Sequence, residues 1–492
     1  MNILLVYPEI PATFFSYKNA LKFVSKKAAC PPLGLITIAA MLPQKWNKKL
    51  IDMNVSELKK TDILWADYVF LSGMNIQKKS FEKVLALCNQ FHVKVVAGGP
   101  MVSTEHESFS GIDHFILNEA EETIPIFIND LQNNCAKPVY YSTKFPDITL
   151  SPVPLWHLLD MDKYAAMNIQ YSRGCPFNCD FCSITMLNGH IPRTKTSEQL
   201  LNEFDSLFAS GFRGEIFIVD DNFIGNKQKL KNNILPSMIQ WQKKRNYPFH
   251  FETEASINLA DDRDLIKLMV KARFNAVFIG IETPNSKSLT ECGKTQNLKR
   301  NMVDSVKEIQ RHGLIVSGGF IVGFDNDSPN IFDEQINFIQ KSGIVTAMVG
   351  LLNAPIGTRL FNRLNAENRI LKTLTGDNMD GSMNFIPKMG YPELLKGYKR
   401  VLDTIYSQKS FYNRTKTFLK EYRPPSYLTQ KIRPIDIKAL LQSMFLLGVV
   451  DKERIYYWKL FMFSLFKYPK NFPLAIKLMI YGFHFRKVAT TI

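Results

Sequence analysis

The chain lacks the cysteine spacing of a disulfide framework. Of seven cysteines, Cys175, Cys179 and Cys182 fall within eight residues, while Cys30, Cys88, Cys135 and Cys292 stand far apart. A small secreted domain spreads its cysteines more evenly. The stretch MNILLVYPEIP has no basic start followed by a long apolar core, so it reads as a first strand rather than a signal peptide. A reducing cytoplasm is the expected compartment. Apolar runs of the ~18 residues that a spanning helix needs are also missing. ALLQSMFLLGVV (439–450) and IYYWKLFMFSLF (455–466) are shorter, and Lys459 interrupts the second. Both are expected to pack on the protein or lie on a surface. Short repeats, low-complexity tracts and helix-turn-helix or RNA-binding signatures are absent, so no nucleic-acid partner is expected.

The 492 residues are 46% hydrophobic and 22% charged, an ordinary globular balance for a chain of two to four domains. The net charge is +16. Its excess gathers late: residues 401–492 hold 16 Lys and Arg against 5 Asp and Glu. Such a segment suits either an anionic partner or a well-solvated surface.

Along residues 1–135, strand candidates ILLVY (3–7), YVFLSG (68–73) and VKVVAGG (93–99) alternate with helical stretches such as 80–91. This predicts an α/β domain with a doubly wound, Rossmann-like parallel sheet. Ligands of such sheets sit at the carboxyl ends of the strands. Residues 136–165, with Pro138, Pro146, Pro152 and Pro154, read as a linker. From 166 to 370 longer units follow: strands 167–172, 215–220, 249–254, 276–282, 315–324 and 346–352, with helices such as 197–210 and 297–312 between them. Thr196 and Gln199 suit a capping box, and Ser328-Pro329 another helix start. About six βα units predict a partial or full β/α barrel with its site at the carboxyl ends of the strands. Residues 371–492 are aromatic, basic and mostly α-helical in pattern, punctuated by Pro424-Pro425 and Pro434.

The sharpest feature is RGCPFNCDFCS (173–183), which sets C-x3-C-x2-C directly after the first barrel strand. Three thiolates on one loop can ligate three irons of a four-iron cluster and leave the fourth open, whereas electron-transfer clusters take four cysteines. A zinc site would need a fourth ligand, and only His190 is near, without a second matching pair.

With Phe181 before the last cysteine, this motif resembles the radical S-adenosylmethionine (SAM) superfamily signature. The resemblance implies a [4Fe-4S] cluster on Cys175, Cys179 and Cys182, with SAM chelating the open iron and cleaved to a deoxyadenosyl radical. It implies a SAM site made by Phe181, by Asp220, Asp221 and Asn222 in IVDDNF, by Glu254 and Glu282 at later strand ends, and by Gly319 and Gly323. Most family members carry a Gly-Gly-Glu-like element where this chain has Asp-Asp-Asn. No catalytic side chain is implied beyond those holding cofactors.

The pieces VYPE, PPLGLITIAAML, DMN, LSG, VAGGP and NEAEETIP resemble, in that order, a cobalamin-binding domain ahead of a radical SAM barrel. Cobalamin would then touch Pro32, Gly34, Leu35, Asp52, Asn54, Ser72, Gly73, Gly98, Gly99, Pro100 and Glu119. The Asp-x-His-x-x-Gly element that ligates cobalt elsewhere is absent, and no His precedes His92. The C-terminal stretches 351–369, 377–389, 394–407 and 475–485 resemble a subgroup with hopanoid C-2 methylases and bacteriochlorophyll side-chain methylases. The expected activity is cobalamin-dependent methylation of an unactivated carbon in a small hydrophobic substrate, hopanoid-like or tetrapyrrole. Electrons would come from a flavodoxin- or ferredoxin-type donor. The basic, apolar tail could rest on the inner face of a membrane.

Three rivals stand beside this reading. One is a ring-forming or rearranging radical SAM enzyme without methyl transfer. A second is a methylthiotransferase, whose extra cluster Cys30, Cys88 and Cys135 are too dispersed to hold. The third is a non-catalytic cobalamin or cluster sensor that binds nucleic acid.

Overall fold

Two separate six-stranded parallel sheets organise the first 351 residues of the computed structural model, which describes residues 1–371, 375–376, 380–425 and 433–491. The first sheet holds β1 (Asn2–Tyr7), β2 (Asn47–Asp52), β3 (Tyr68–Ser72), β4 (Lys94–Gly98), β5 (His114–Ile116) and β6 (Val139–Tyr140), in the order β2-β1-β3-β4-β5-β6. Alternate residues of each strand face opposite sides. Leu4, Val6, Val69 and Leu71 pack with Phe81 and Val84 on one face. Ile3, Leu5 and Phe70 pack with Leu35, Ile124 and Phe127 on the other. Helices therefore cover both faces, as a parallel sheet requires. The strand order reverses between β1 and β3, which opens a crevice at their carboxyl ends.

Strands β2, β5 and β6 have no clear signature in the sequence. Edge strand β2 begins Asn-Lys-Lys, β5 is three residues long, and β6 is two residues long within the stretch read as a linker. Pairing with a neighbour, not local propensity, makes them strands.

The second sheet holds β7 (Ala166–Ile169), β10 (Gly214–Ile218), β11 (Phe249–Glu254), β12 (Phe274–Glu282), β13 (Ile315–Val322) and β14 (Ala347–Leu351). They neighbour one another in chain order, all parallel, which makes an open partial barrel. Burial alternates along it: Phe249, Phe251 and Thr253 of β11 are buried, while His250, Glu252 and Glu254 are half-exposed. β13 alternates likewise, with Ser317 and Gly319 on the open side. One face packs against helices, and the other lines a hollow.

The strand expected at 167–172 is broken at Gln170 and Tyr171. Residues Ser172–Arg173 (β8) pair instead with Arg193–Thr194 (β9) as a short antiparallel hairpin around the cysteine loop. The Thr196 hydroxyl caps its helix by accepting from Gln199 N–H at 3.1 Å. Ser328 does not cap a helix: the next helix runs Ile331–Ser342 from Asn330, because the Ser328 carbonyl is used in a turn by Ile331 N–H at 2.9 Å.

After the helix Arg359–Ala366, five longer helices follow among the described residues, Tyr391–Tyr406, Gln408–Glu421, Pro434–Phe445, Arg454–Lys467 and Phe472–Ala489. Their buried residues join the barrel's in one apolar cluster. Residues 377–379 of the stretch 377–389 lie outside the described residues. Among the described residues, no helix is long and apolar enough to cross a membrane.

Asp325, just past β13, ties the barrel to the helix Arg359–Ala366 and the residues just after it. Its side chain is 6% exposed and pairs with Arg369 at 2.6 Å and Arg363 at 2.8 Å. Burial opposes its charge, but the two guanidiniums outweigh that and hold its pKa down at about 2. A depressed pKa stabilises the fold above the unfolded value of about 3.9, and that stability is lost as pH falls through about 2. Asp325→Asn should cost about 2–4 kcal/mol at pH 7 in denaturant melts. The difference from the parent chain should shrink steadily below pH 4.

Candidate functional site

Gly174 opens the cysteine loop because no side chain fits there. Its φ is +98°, and a Cβ would lie 2.9 Å from the carbonyl oxygens of Asn188 and Ile191. Cys175 N–H donates to the Gly189 carbonyl at 3.1 Å, and Cys182 N–H to the Cys179 carbonyl at 3.3 Å. Asp180 N–H donates to the Cys292 carbonyl at 3.0 Å, while the Asp180 carbonyl accepts from Leu360 N–H at 3.0 Å. Arg359 donates to the Asn178 carbonyl. The loop is thus gripped from both sides of the barrel mouth. Cys292 contributes its backbone here, and its thiol is buried.

Cys175, Cys179 and Cys182 are half-buried free thiols close enough to repel one another's charge. Burial pushes all three up, Cys182 to about 12, while the Lys294 ammonium and then a Gln296 hydrogen bond pull the other way on Cys179. Thiols so placed become thiolates when a cationic group binds them. Among the described residues, no three His, Cys, Asp or Glu side chains converge as the ligands of a single ion would. The donor set therefore fits an iron–sulfur cluster, whose irons take one thiolate each, better than zinc.

The carboxyl end of β10 frames this loop. Asp220, 1% exposed, accepts from Tyr171 N–H at 2.8 Å and the Ser172 hydroxyl at 2.6 Å. Burial pushes its pKa up to about 7. Asp221 accepts from Gly174 N–H at 2.8 Å and the Asn188 amide at 2.9 Å. The Asn222 side-chain amide oxygen accepts from Ser256 N–H at 3.2 Å, which links β10 to β11. All three expected SAM contacts already serve the loop or its neighbour.

Glu254, at the end of β11, is different. It is half-exposed and forms no hydrogen bond or ion pair among the described residues. Burial, with repulsion from Asp221, Asp220 and Glu282 against the pull of Lys294, pushes its pKa up to about 7. Glu282 ends β12 at a bulge with φ +62° and pairs with Lys294 at 2.7 Å. Burial works against the Lys294 charge, but Glu282 and Cys179 outweigh it and raise its pKa. Gly319 lets the Phe278 ring lie across β13, for a Cβ there would meet that ring at 3.0 Å. Gly323 N–H donates to Asp327 at 2.9 Å, and the Phe181 ring packs edge-on to Phe324 at 6.2 Å.

On the first sheet, β3 and β4 end in bare backbone. A Cβ on Gly98 would stand 2.9 Å from the Ile116 carbonyl, and one on Gly99, at φ +98°, 2.5 Å from the Ser72 hydroxyl. Pro100 then starts a short helix. Gly73 lies beside Phe81 with room for a Cβ, and Gly34, after Pro32, faces open space. Leu35 is 3% exposed and belongs to the core. Asp52 accepts from Asn54 N–H and the Tyr164 hydroxyl, both at 2.9 Å. Asn54 in turn accepts from Ile10 N–H at 2.8 Å.

Glu119 bridges the two sheets. It pairs with Arg173 at 2.6 Å and Arg193 at 2.5 Å, while Glu121 pairs with Arg173 at 2.8 Å. Arg173 stands two residues before Cys175. The sequence reading overlooked Arg173, Arg193, Glu121 and Lys294. Arg173, inside the cysteine motif, and Glu121, inside NEAEETIP, carried a signal by position; Arg193 and Lys294 become partners through folding.

Residues 169–339 match the Radical SAM superfamily model, and 358–492 match a domain of unknown function (DUF4070). The chain is 38% identical to the uncharacterized methyltransferase sll1242 of Synechocystis sp., over 99% of this chain and 91% of that protein. It is 32% identical to a hopanoid C-2 methylase of Rhodopseudomonas palustris, over 84% of this chain and 78% of that one. In fold it is similar to the cobalamin-dependent SAM radical enzyme OxsB, with a TM-score of 0.63 and 14% identity, over all of this chain and 80% of that one. The chain belongs to the radical SAM superfamily and, within it, to the family that these two methyltransferase relatives share. It is thus an enzyme of the class that uses a [4Fe-4S] cluster and SAM.

Replacing Cys175, Cys179 and Cys182 together by Ala should abolish iron binding after anaerobic reconstitution and all SAM cleavage. Because Gly174 and Asp221 still hold the loop, the melting temperature of the iron-free protein should move by only a few degrees. Retained iron would show that other residues ligate the cluster.

Proposed function

We propose that the chain is a cobalamin-dependent radical SAM methyltransferase that places a methyl group on an unactivated carbon of a hydrophobic substrate, with a hopanoid-like or other polycyclic lipid foremost. The observation that carries this reading is the Glu119–Arg173 pair at 2.6 Å, which ties the segment after β5 of the first sheet to the residue two before Cys175. The bare backbone of Gly98 and Gly99 supports cobalamin against the carboxyl ends of β3 and β4, and the Ser72 hydroxyl beside them has no hydrogen-bond partner among the described residues. The hopanoid methylase relative supports the substrate class.

When bound, the cofactors supply a hydrogen-abstracting radical and a transferable methyl group. The chain's own residues position them. Asp220 and Asp221 keep the loop closed, and Lys294 offsets thiolate charge. Glu254, with no partner of its own, accepts a hydrogen bond from the SAM ammonium or ribose. After anaerobic reconstitution with hydroxocobalamin, we expect cobalt near one per chain beside about four irons, and label from methyl-labelled SAM in a lipid fraction. Iron without cobalt would move the reading to a radical SAM enzyme that does not transfer methyl.

The same reading places the protein at an anionic membrane surface. Leu441, Phe445, Val450, Ile455 and Phe466 are 57–77% exposed on the helices Pro434–Phe445 and Arg454–Lys467 and the helical turn Leu446–Val450 between them. Exposed Lys438, Lys452, Arg454, Lys459 and Lys467 stand among them. A groove of about 440 Å³ lies between Lys22, Phe23, Leu441 and Phe445. Contiguous exposed apolar area with a basic rim suits headgroups and the upper acyl chain. The protein should float with phosphatidylglycerol vesicles at low salt. Phe445→Asp/Phe466→Asp should lose most of that binding without losing iron.

A further inference from the structure

The hollow of the partial barrel has a charged floor that the cofactor site does not use. Glu215 of β10 and Glu252 of β11 point into the hollow from neighbouring strands, and Lys477 reaches them from the helix Phe472–Ala489. Lys477 Nζ lies 3.5 Å from Glu215 and 3.9 Å from Glu252. Glu215, Glu252 and Lys477 keep 30%, 35% and 41% of their side-chain surface open, the two acids on the unburied face of β10 and β11.

The trio is balanced. Burial opposes charge on Glu215, but Lys477 and a hydrogen bond from Glu252 hold its pKa low. Burial and repulsion from Glu215 push Glu252 well up. Two carboxyls beside one ammonium repel each other's charge, which favours one carboxylate, one carboxyl and one ammonium. Nearby, the Tyr17 and Tyr481 rings lie 5.0 Å apart, tilted by 52°, and the buried Nδ1 of His250 has no hydrogen-bond partner among the described residues. Lys477 Nζ stands over the Tyr481 ring at 5.4 Å, and its hydrogen bond to Glu215 is long at 3.5 Å.

Above the floor the walls turn aromatic. Phe217 pairs in register with Glu252, and Phe278 with Glu254. Phe15, 57% exposed, leans on Phe278 at 5.9 Å. Glu254 is two residues beyond Glu252 on the same face of β11, a step of about 7 Å toward the cysteine loop. The hollow is thus polar at its closed end, apolar in the middle and open to the cluster at its mouth.

We propose that Glu215, Glu252 and Lys477 form a subsite for a neutral hydroxyl-type group at one end of an elongated apolar substrate. The proposal rests on the reading that the substrate is hydrophobic, and adds how the chain measures it. A neutral trio can donate to and accept from a hydroxyl without stranding charge, whereas an ionised group would leave net charge buried. By anchoring that end, the floor decides which carbon reaches the cluster. The trio acts as a specificity-determining site; it does not touch the reacting atoms.

The test is equilibrium dialysis of labelled 1-decanol, decanoate and decane against the full chain with its cluster. All measurements use a Phe445→Asp background, which spoils the surface groove for alkyl chains. The parent should bind 1-decanol about tenfold or more tighter than decanoate. Glu215→Leu/Lys477→Met removes both charges together and so strands neither. It should weaken 1-decanol about tenfold while holding or improving decane affinity. Glu252→Gln, which keeps shape and hydrogen bonding, should restore most of the discrimination lost in Glu252→Leu. Decanol affinity unchanged within about twofold in the double variant would overturn the proposal and leave the trio as a tie between helix and barrel. No methyl transfer enters the assay, so a failed methylation reading and a failed floor subsite are told apart.

Discussion

Four charged side chains hold the two sheets in working relation. Glu119 and Glu121 come from the end of the first sheet, and Arg173 and Arg193 from the hairpin around the cysteine loop. Glu119 is 8% and Arg173 15% exposed, so water screens them little. Removing one partner of such a network leaves buried charge behind, at a cost of about 3–5 kcal/mol. The same contact decides function, because Arg173 is covalently next to the loop that holds the cluster. Moving Glu119 moves the loop relative to the crevice of the first sheet.

The barrel adds a second constraint. Period-two alternation buries one side of each strand against helices and turns the other side inward. In a closed barrel of eight strands, side chains fill that interior. Here six strands leave it open, and the chain closes it with distant pieces: Phe15 and Tyr17 from the N-terminal segment, and Lys477 and Tyr481 from the last long helix. Neighbouring carboxyls such as Glu215 and Glu252 are tolerated there because the Lys477 ammonium lies within 3.9 Å of both. The helical C-terminal part is thereby a wall of the site and not an appendage.

Much of this was legible in the chain. The alternating runs announced both sheets, since strands buried on one or both faces must be apolar in a regular pattern. The Thr196 cap and the cysteine loop were equally local, and C-x3-C-x2-C specified its chemistry because ligand count and spacing lie within one turn of backbone. Strands β2, β5 and β6 were not legible, since their identity comes from a hydrogen-bonding neighbour. The roles given to Asp220, Asp221 and Glu119 looked alike in sequence, as acids near strand ends. Folding separates them from Glu254: the first three find N–H, hydroxyl or guanidinium partners, and Glu254 finds none.

The sequence by itself determined the ligand loop, the two parallel sheets and the helical, basic tail, because each depends on residues near one another in the chain. Tertiary structure alone decided which acids are spent on holding the loop, that Lys294 stands by the thiols, and that Glu215, Glu252 and Lys477 meet across 262 residues. Those pairings depend on Coulomb energy and desolvation between groups that only the finished fold brings within a few ångströms.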